Sequence, residues 1–267
     1  MNDIFEFKRF GLLFKKTIFE RYLQLTGLTC LAFAATLVIY SVILFFTGGM
    51  ARNLAQNLSF GYGIIGGGCF LSSVIFGYFS TNASGAAYLT LPVSAFEKWF
   101  CGMLIIGVLF PALFLAFYRV MDSCFVIFYH NGLNKNDPRY KDMYDAVQVY
   151  PFNNNFVRES VMIYINFVSV MMLGSLYFNK VSAIKTALVY GSILGLLYFL
   201  NLIIANLLFH NVDGAFPFSG VFIKVGNDVG ILGLPDSIAN LVQLAIQIII
   251  PSLLFITVFI RLREKEI

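Results

Sequence analysis

Few residues in this chain combine type and spacing that could do chemistry, and most of them sit at the edges of long apolar runs. The two histidines, His130 and His210, are far apart, and no HExxH or comparable metal-ligand spacing occurs. No serine occupies a GxSxG elbow. No GxxxxGK[ST] loop is present to cradle phosphates, so the chain has no such route to ATP hydrolysis. Cys30, Cys69, Cys101 and Cys124 lie in or beside apolar stretches with no CxxC, and read as small buried hydrophobes. Arg119 and Asp122 stand three apart, a spacing that lets them pair on one helical face. Gln243 and Gln247 are spaced i, i+4, and Asn201 and Asn206 lie in another apolar run. Buried amides need partners, so these four are expected to face a bundle or a cavity. They are the candidate lining of a translocation path. The last candidate is a loop, Leu91-Pro92-Val93-Ser94-Ala95-Phe96-Glu97-Lys98. Pro92 keeps Leu91 extended, and Ser94 with Glu97 has the S-x-x-E spacing of a capping box for a helix starting at Ala95.

The elements that must position these residues follow from composition. The chain has 267 residues, 59% hydrophobic and 12% charged, with a mean hydropathy of +0.80. Soluble domains run near ~45–50% apolar and ~25% charged, so a water-soluble globule is excluded. A net charge of +4 gives no sign of a nucleic-acid partner. A helix needs about 20 apolar residues to cross the hydrocarbon core. Six stretches qualify: Leu23–Phe46, Phe60–Ser80, Phe100–Tyr118, Ser160–Phe178, Ala187–Phe209 and Ile238–Ile260, none of which contains Asp, Glu, Lys or Arg. The first is too long for a signal-peptide core and is expected to stay in the mature protein.

With the N-terminus cytoplasmic, eleven Lys and Arg lie inside and seven outside, which gives N-in, C-in by the positive-inside rule. Residues 1–22 carry Phe7, Phe10, Phe14, Ile18 and Tyr22 at three- or four-residue steps, with Lys8, Lys15, Lys16 and Glu20 elsewhere around the helix. That pattern predicts a basic amphipathic elbow helix in the headgroup region. The outer segment 131–159 is polar and turn-rich and is expected to be wet. The outer segment 210–237 mixes apolar pieces with Gly, Pro and Asp, which predicts a re-entrant or interfacial hairpin. Residues 261–267 form a cytoplasmic tail. Gly63 and Gly67, with Gly66 and Gly68, and Gly191 with Gly195, provide small-residue packing faces, within the chain or between protomers. Pro111 and Pro251 are expected to kink the third and sixth spans. The expected fold is an all-α integral membrane protein, with one six-span domain over 23–260.

The LPxSxxEK motif, on the cytoplasmic side before the third of six spans, resembles a signature of ATP-binding-cassette (ABC) type-2 permeases, the membrane subunits of many bacterial exporters. The elbow helix, the N-in, C-in topology and the broken outer segment agree with that family. The resemblance implies that segment 81–99 is a coupling segment docking into a separate ATPase. The motif falls on Leu91, Pro92, Ser94, Glu97 and Lys98, and the coupling helix within 83–89. It further implies two permease chains, identical or paralogous, paired with two ABC ATPase subunits in a bacterial cytoplasmic membrane. ATP and Mg would be bound in those partners, with no cofactor in this chain. Spans without charge have no internal means of harvesting an ion gradient, which fits an energy source in another polypeptide. A non-transporting membrane scaffold shares the composition and lacks only a reason for the motif. A lipid-modifying membrane enzyme would need polar groups near one leaflet, of which His130, Asp122 and Arg119 are the best set.

Overall fold

The computed structural model describes residues 5–47, 51–80, 82–178, 181–209, 212–217, 220–225, 228–233 and 235–265. His210, Lys180 and Thr81 lie outside the described residues. Six helices are long and apolar enough to cross a membrane: Tyr22–Thr47, Arg52–Ile75, Ala95–Gly132, Asn155–Tyr177, Ser182–Leu208 and Ser237–Glu264. They correspond one for one to the six expected spans. The segments are α1 (Phe7–Glu20), α2 (Tyr22–Phe46), α3 (Arg52–Ile75), α4 (Asn82–Leu89), α5 (Ala95–Leu104), α6 (Phe110–Gly132), α7 (Tyr140–Asp145), α8 (Asn155–Tyr177), α9 (Ser182–Leu208), α10 (Asp236–Leu244) and α11 (Ile250–Glu264).

Two spans depart from the sequence expectation. The second begins at Arg52 instead of Phe60, because its polar first turns are buried: Arg52, Gln56 and Ser59 all face the bundle. The third runs unbroken to Gly132 and is about 57 Å long at 1.5 Å per residue, against a hydrocarbon core of about 30 Å. The helix is therefore longer than that core, and its second half carries Arg119, Asp122 and His130.

Pro111 and Pro251 act through π turns. Ile105–Leu109 and Ala245–Ile249 are π-helical, each directly before the segment that holds the proline. In the third span the Phe110 N–H donates to the Ile105 carbonyl, an i to i+5 bond. The corresponding partner for the Ile106 carbonyl would be Pro111, which has no N–H. Tyr164 of α8 supplies the missing donor, its hydroxyl reaching the Ile106 oxygen at 2.5 Å.

The core lies among the second, third and fourth spans, whose facing residues include Phe60, Ile64, Phe110, Phe114, Tyr118, Tyr164 and Met172. Glycine makes this approach possible. A Cβ on Gly63 would strike Thr36 and Phe114, one on Gly67 would strike Phe110 and Ala32, and one on Gly68 would strike Tyr164. The glycine face of the second span thus packs within the chain. Gly191 and Gly195 of the fifth span meet nothing within 4 Å, and the most apolar stretch of that span has no buried residue.

The segment between the fifth and sixth spans is not helical among its described residues. β1 (Val212–Phe216), β2 (Gly220–Val225) and β3 (Asp228–Gly233) form an antiparallel meander in the order β1-β2-β3. The sequence predicts a re-entrant or interfacial hairpin; the segment is a three-stranded meander whose strands pair in a ladder. Phe216 lies 5.9 Å from Tyr198 of α9, so the meander folds back along the fifth span. The fold is a helical bundle with this small sheet attached.

Candidate functional site

Helix α5 begins where the sequence places it. Ser94 is extended (φ −69°, ψ 154°) and caps the helix, its Oγ accepting the Glu97 N–H at 3.2 Å while a Glu97 oxygen accepts the Ser94 N–H at 3.0 Å. This is the reciprocal capping box. The same carboxylate does more. Arg9 of α1 grips both its oxygens, Nε to Oε2 at 2.8 Å and Nη2 to Oε1 at 3.0 Å, and the Glu6 N–H donates to Oε1 at 2.7 Å. Bidentate guanidinium–carboxylate bonds are among the strongest and most directional available to a protein. Glu97 is fully buried and Arg9 keeps 27% of its side-chain exposure. One carboxylate therefore ties the elbow helix, the loop and the start of the third span together.

Lys98 ties in the next element. Its Nζ donates to the Leu89 carbonyl at 3.3 Å, the last residue of α4, and lies 5.4 Å from the Tyr88 ring. A cation at a helix C-terminus answers the orphan carbonyls and the negative end of the macrodipole. Glu97 and Lys98 thus face inward. Leu91 and Ser94 are half-buried, and Pro92 is exposed. Of the five motif residues only Pro92 offers itself fully to a partner, beside the exposed Ala83, Ala86, Ala87 and Thr90.

Leu13 and Thr17 are the buried residues of the elbow helix, and Phe10 and Phe14 pack partly against the core, while Phe7 is 82% exposed. Most of the phenylalanine stripe thus still faces the bundle, with Leu13 and Thr17 at its centre and Phe7 outside it. Around the same end, Trp99 donates its Nε1–H to the Phe255 carbonyl of the sixth span at 3.1 Å, and Lys265 lies over Phe79 at 4.3 Å. The elbow helix, α4 and the end of the last span share one end of the bundle.

The opposite end holds a second buried carboxylate. Asp122 accepts the Tyr40 hydroxyl and the Gln56 Nε2–H on Oδ1, both at 2.9 Å, and the Tyr150 N–H on Oδ2 at 2.7 Å. Arg119 does not pair with it. Arg119 donates to the Tyr150 carbonyl at 3.2 Å and lies over Phe152 at 4.5 Å. The two residues expected to pair instead hold opposite sides of one residue's backbone. The segment they hold is not wholly wet: Val147 and Tyr150 are buried, Phe152 packs on the core, and the Tyr150 hydroxyl donates to Asn57 Oδ1 at 2.7 Å. Burial raises the Tyr150 phenol above its ordinary pKa, so it stays a neutral donor. A short apolar run, Val147, Tyr150 and Phe152, is the sequence signal that could have found this anchor.

The remaining candidates are scattered. His130 stacks on Tyr144 at 3.9 Å with Nε2 3.0 Å from the Val147 carbonyl. Among the described residues no group of three His, Cys, Asp or Glu could hold a metal ion. Cys101 is buried, but Cys30 and Cys124 are exposed, so these two are not the buried hydrophobes expected. Asn206 and Gln243 are exposed and Asn201 and Gln247 half-buried, on the two least packed spans. The expectation that they face the interior of this bundle is not met for Asn206 and Gln243. Asn206 Nδ2 donates to the Leu202 carbonyl one turn earlier at 3.0 Å.

Six helices long and apolar enough to cross a bilayer make this a multi-pass membrane protein. The chain matches no protein-family model, no curated protein and no solved structure.

Proposed function

We propose that this chain is the permease subunit of an ABC exporter, with six spans that pair with a second permease chain and are moved by two separate ATPase subunits. The observation that carries the reading is the junction at Glu97 and Lys98. A short exposed helix, α4, is bound through these two residues to the start of the third span and to the elbow helix. An ATPase seated on Ala83, Ala86, Ala87 and Pro92 would push on α4, and the junction would pass that push to the third span as a rigid-body tilt. Leu91, Ser94, Glu97 and Lys98 are in this reading positioning residues, and Pro92 a contact. ATP and Mg act in the partner, and this chain contributes no catalytic residue. The eleven-to-seven split of Lys and Arg supports a cytoplasmic α4 and a bacterial cytoplasmic membrane. Amides exposed on apolar spans are costly against lipid, which supports Asn201, Asn206, Gln243 and Gln247 lining a path completed by the second permease.

Isolation of the tagged chain from its native membrane in mild detergent tests the reading. The expected result is recovery with a Walker-motif ATPase in equimolar amount, lost in Ala86→Trp while membrane insertion is kept. Recovery of the chain without any ATPase, or equal recovery with Ala86→Trp, contradicts it.

A further inference from the structure

An open cavity of about 520 Å³ lies at the α4 end of the bundle, between the start of α2, the ends of α3 and α8, and the start of α9. Its polar lining is Arg21, Gln24, Ser73, Ser84, Ser175 and Ser182. Arg21 is held in place from one side: Nη1 donates to the Val74 carbonyl at 2.6 Å, and the guanidinium lies 3.6 Å from the centre of the Tyr78 ring. Nη1 also reaches toward the Ile75 carbonyl, at 3.5 Å, and Tyr78 is a further side-chain partner of the guanidinium. Burial holds the guanidinium below its ordinary pKa, the sign of a desolvated cation that an anion would stabilise. The serines have the opposite character. Ser73, Ser175 and Ser182 each donate to a backbone carbonyl at 2.6–2.7 Å, so their oxygens offer lone pairs to a donor. The cavity therefore presents a cation beside a set of acceptors. Val181, at its edge, begins an exposed apolar row with Ile184 and Leu188 that runs away along α9. The cavity stands where spans end, at the level of lipid headgroups.

We propose that this cavity binds a phospholipid headgroup, its phosphate on Arg21, its amino or hydroxyl substituent on the serine oxygens, and an acyl chain along Val181, Ile184 and Leu188. The matching headgroups are phosphatidylethanolamine and phosphatidylglycerol, whose substituents donate. Phosphatidylcholine, which cannot donate, does not match. The proposal rests on the protein being in a membrane and not on its being a permease.

The test is thermal unfolding of the full chain in detergent, titrated with short-chain forms of these three lipids and with glycerol 3-phosphate. Phosphatidylethanolamine and phosphatidylglycerol should raise the midpoint at about tenfold lower concentration than phosphatidylcholine, the fold-change of one charge-assisted hydrogen bond. Arg21→Gln should weaken the response to all three lipids, since each carries the phosphate that Arg21 meets. Ala183→Phe, which fills the cavity without touching Arg21, should do the same and serves if Arg21→Gln does not fold. Equal stabilisation by phosphatidylcholine, an undiminished response in both variants, or a full effect from glycerol 3-phosphate alone would each overturn the assignment, the last by making the ligand a soluble phosphate ester.

Discussion

At one end of the third span Glu97 is met by a cation and one backbone N–H group besides its own cap; at the other end Asp122 is met by a phenol, an amide and one N–H. Both carboxylates are fully buried. The difference lies in what each holds. Glu97 joins α1 to α5 through a charged, directional bond, and Lys98 beside it joins α5 to α4. Asp122 holds a loop against the bundle through neutral donors. The nearest basic residues, Arg52 and Arg119, donate to the Phe125 and Tyr150 carbonyls. A buried ion pair fixes geometry without necessarily adding stability, whereas hydrogen bonds from neutral groups cost less to break one at a time. The Glu97 end of this molecule is built as a joint and the Asp122 end as a latch.

Glu97→Ala should break that contrast most severely. Removal of one partner of a buried pair costs about 3 kcal/mol, at the low end because Arg9 keeps solvent contact. Hydrogen exchange should show Phe7–Glu20 released while the outer end keeps its protection. Tyr150→Ala should cost nearly as much at the other end, about 3 kcal/mol, since its ring packs with Phe60, Tyr118 and Phe152. Limited proteolysis should then cut within 131–159, with no change at α1. Asp122→Asn keeps the size but turns a donor toward donors, and should cost about 2 kcal/mol with the same loop exposed. The smallest effect is expected of Tyr164→Phe, about 1 kcal/mol, from the unpaired Ile106 carbonyl. A loss of similar size and reach from Glu97→Ala and Asp122→Asn would erase the distinction between joint and latch.

What the sequence revealed follows the distance between partners. Six spans, a helix within residues 1–22 and the Ser94–Glu97 box are local patterns, and each was legible from a few turns of chain. Arg9 lies 88 residues from Glu97, and Tyr40 and Gln56 lie 82 and 66 residues from Asp122. No spacing rule connects positions that meet only when helices pack. Local proximity also misled: Arg119 and Asp122 stand in the right register to pair, but the Tyr150 backbone offers each a better partner. The length of the third span was hidden for the same reason. Arg119 and Asp122 read as the end of an apolar run, whereas the helix continues because buried donors satisfy the carboxylate. Segment 131–159 read as wet from its polar majority, and its three apolar anchors were outvoted.

The central claim is that α4 is the surface on which an ATPase pushes and that Glu97 and Lys98 carry the push inward. A photoactivatable cross-linker placed at Ala86 in native membranes tests it most directly, with Tyr144 at the opposite end as control. The account predicts one dominant cross-link from position 86 to a Walker-motif ATPase and none from position 144. A cross-link from position 144 to that ATPase, or only lipid adducts from position 86, would contradict it.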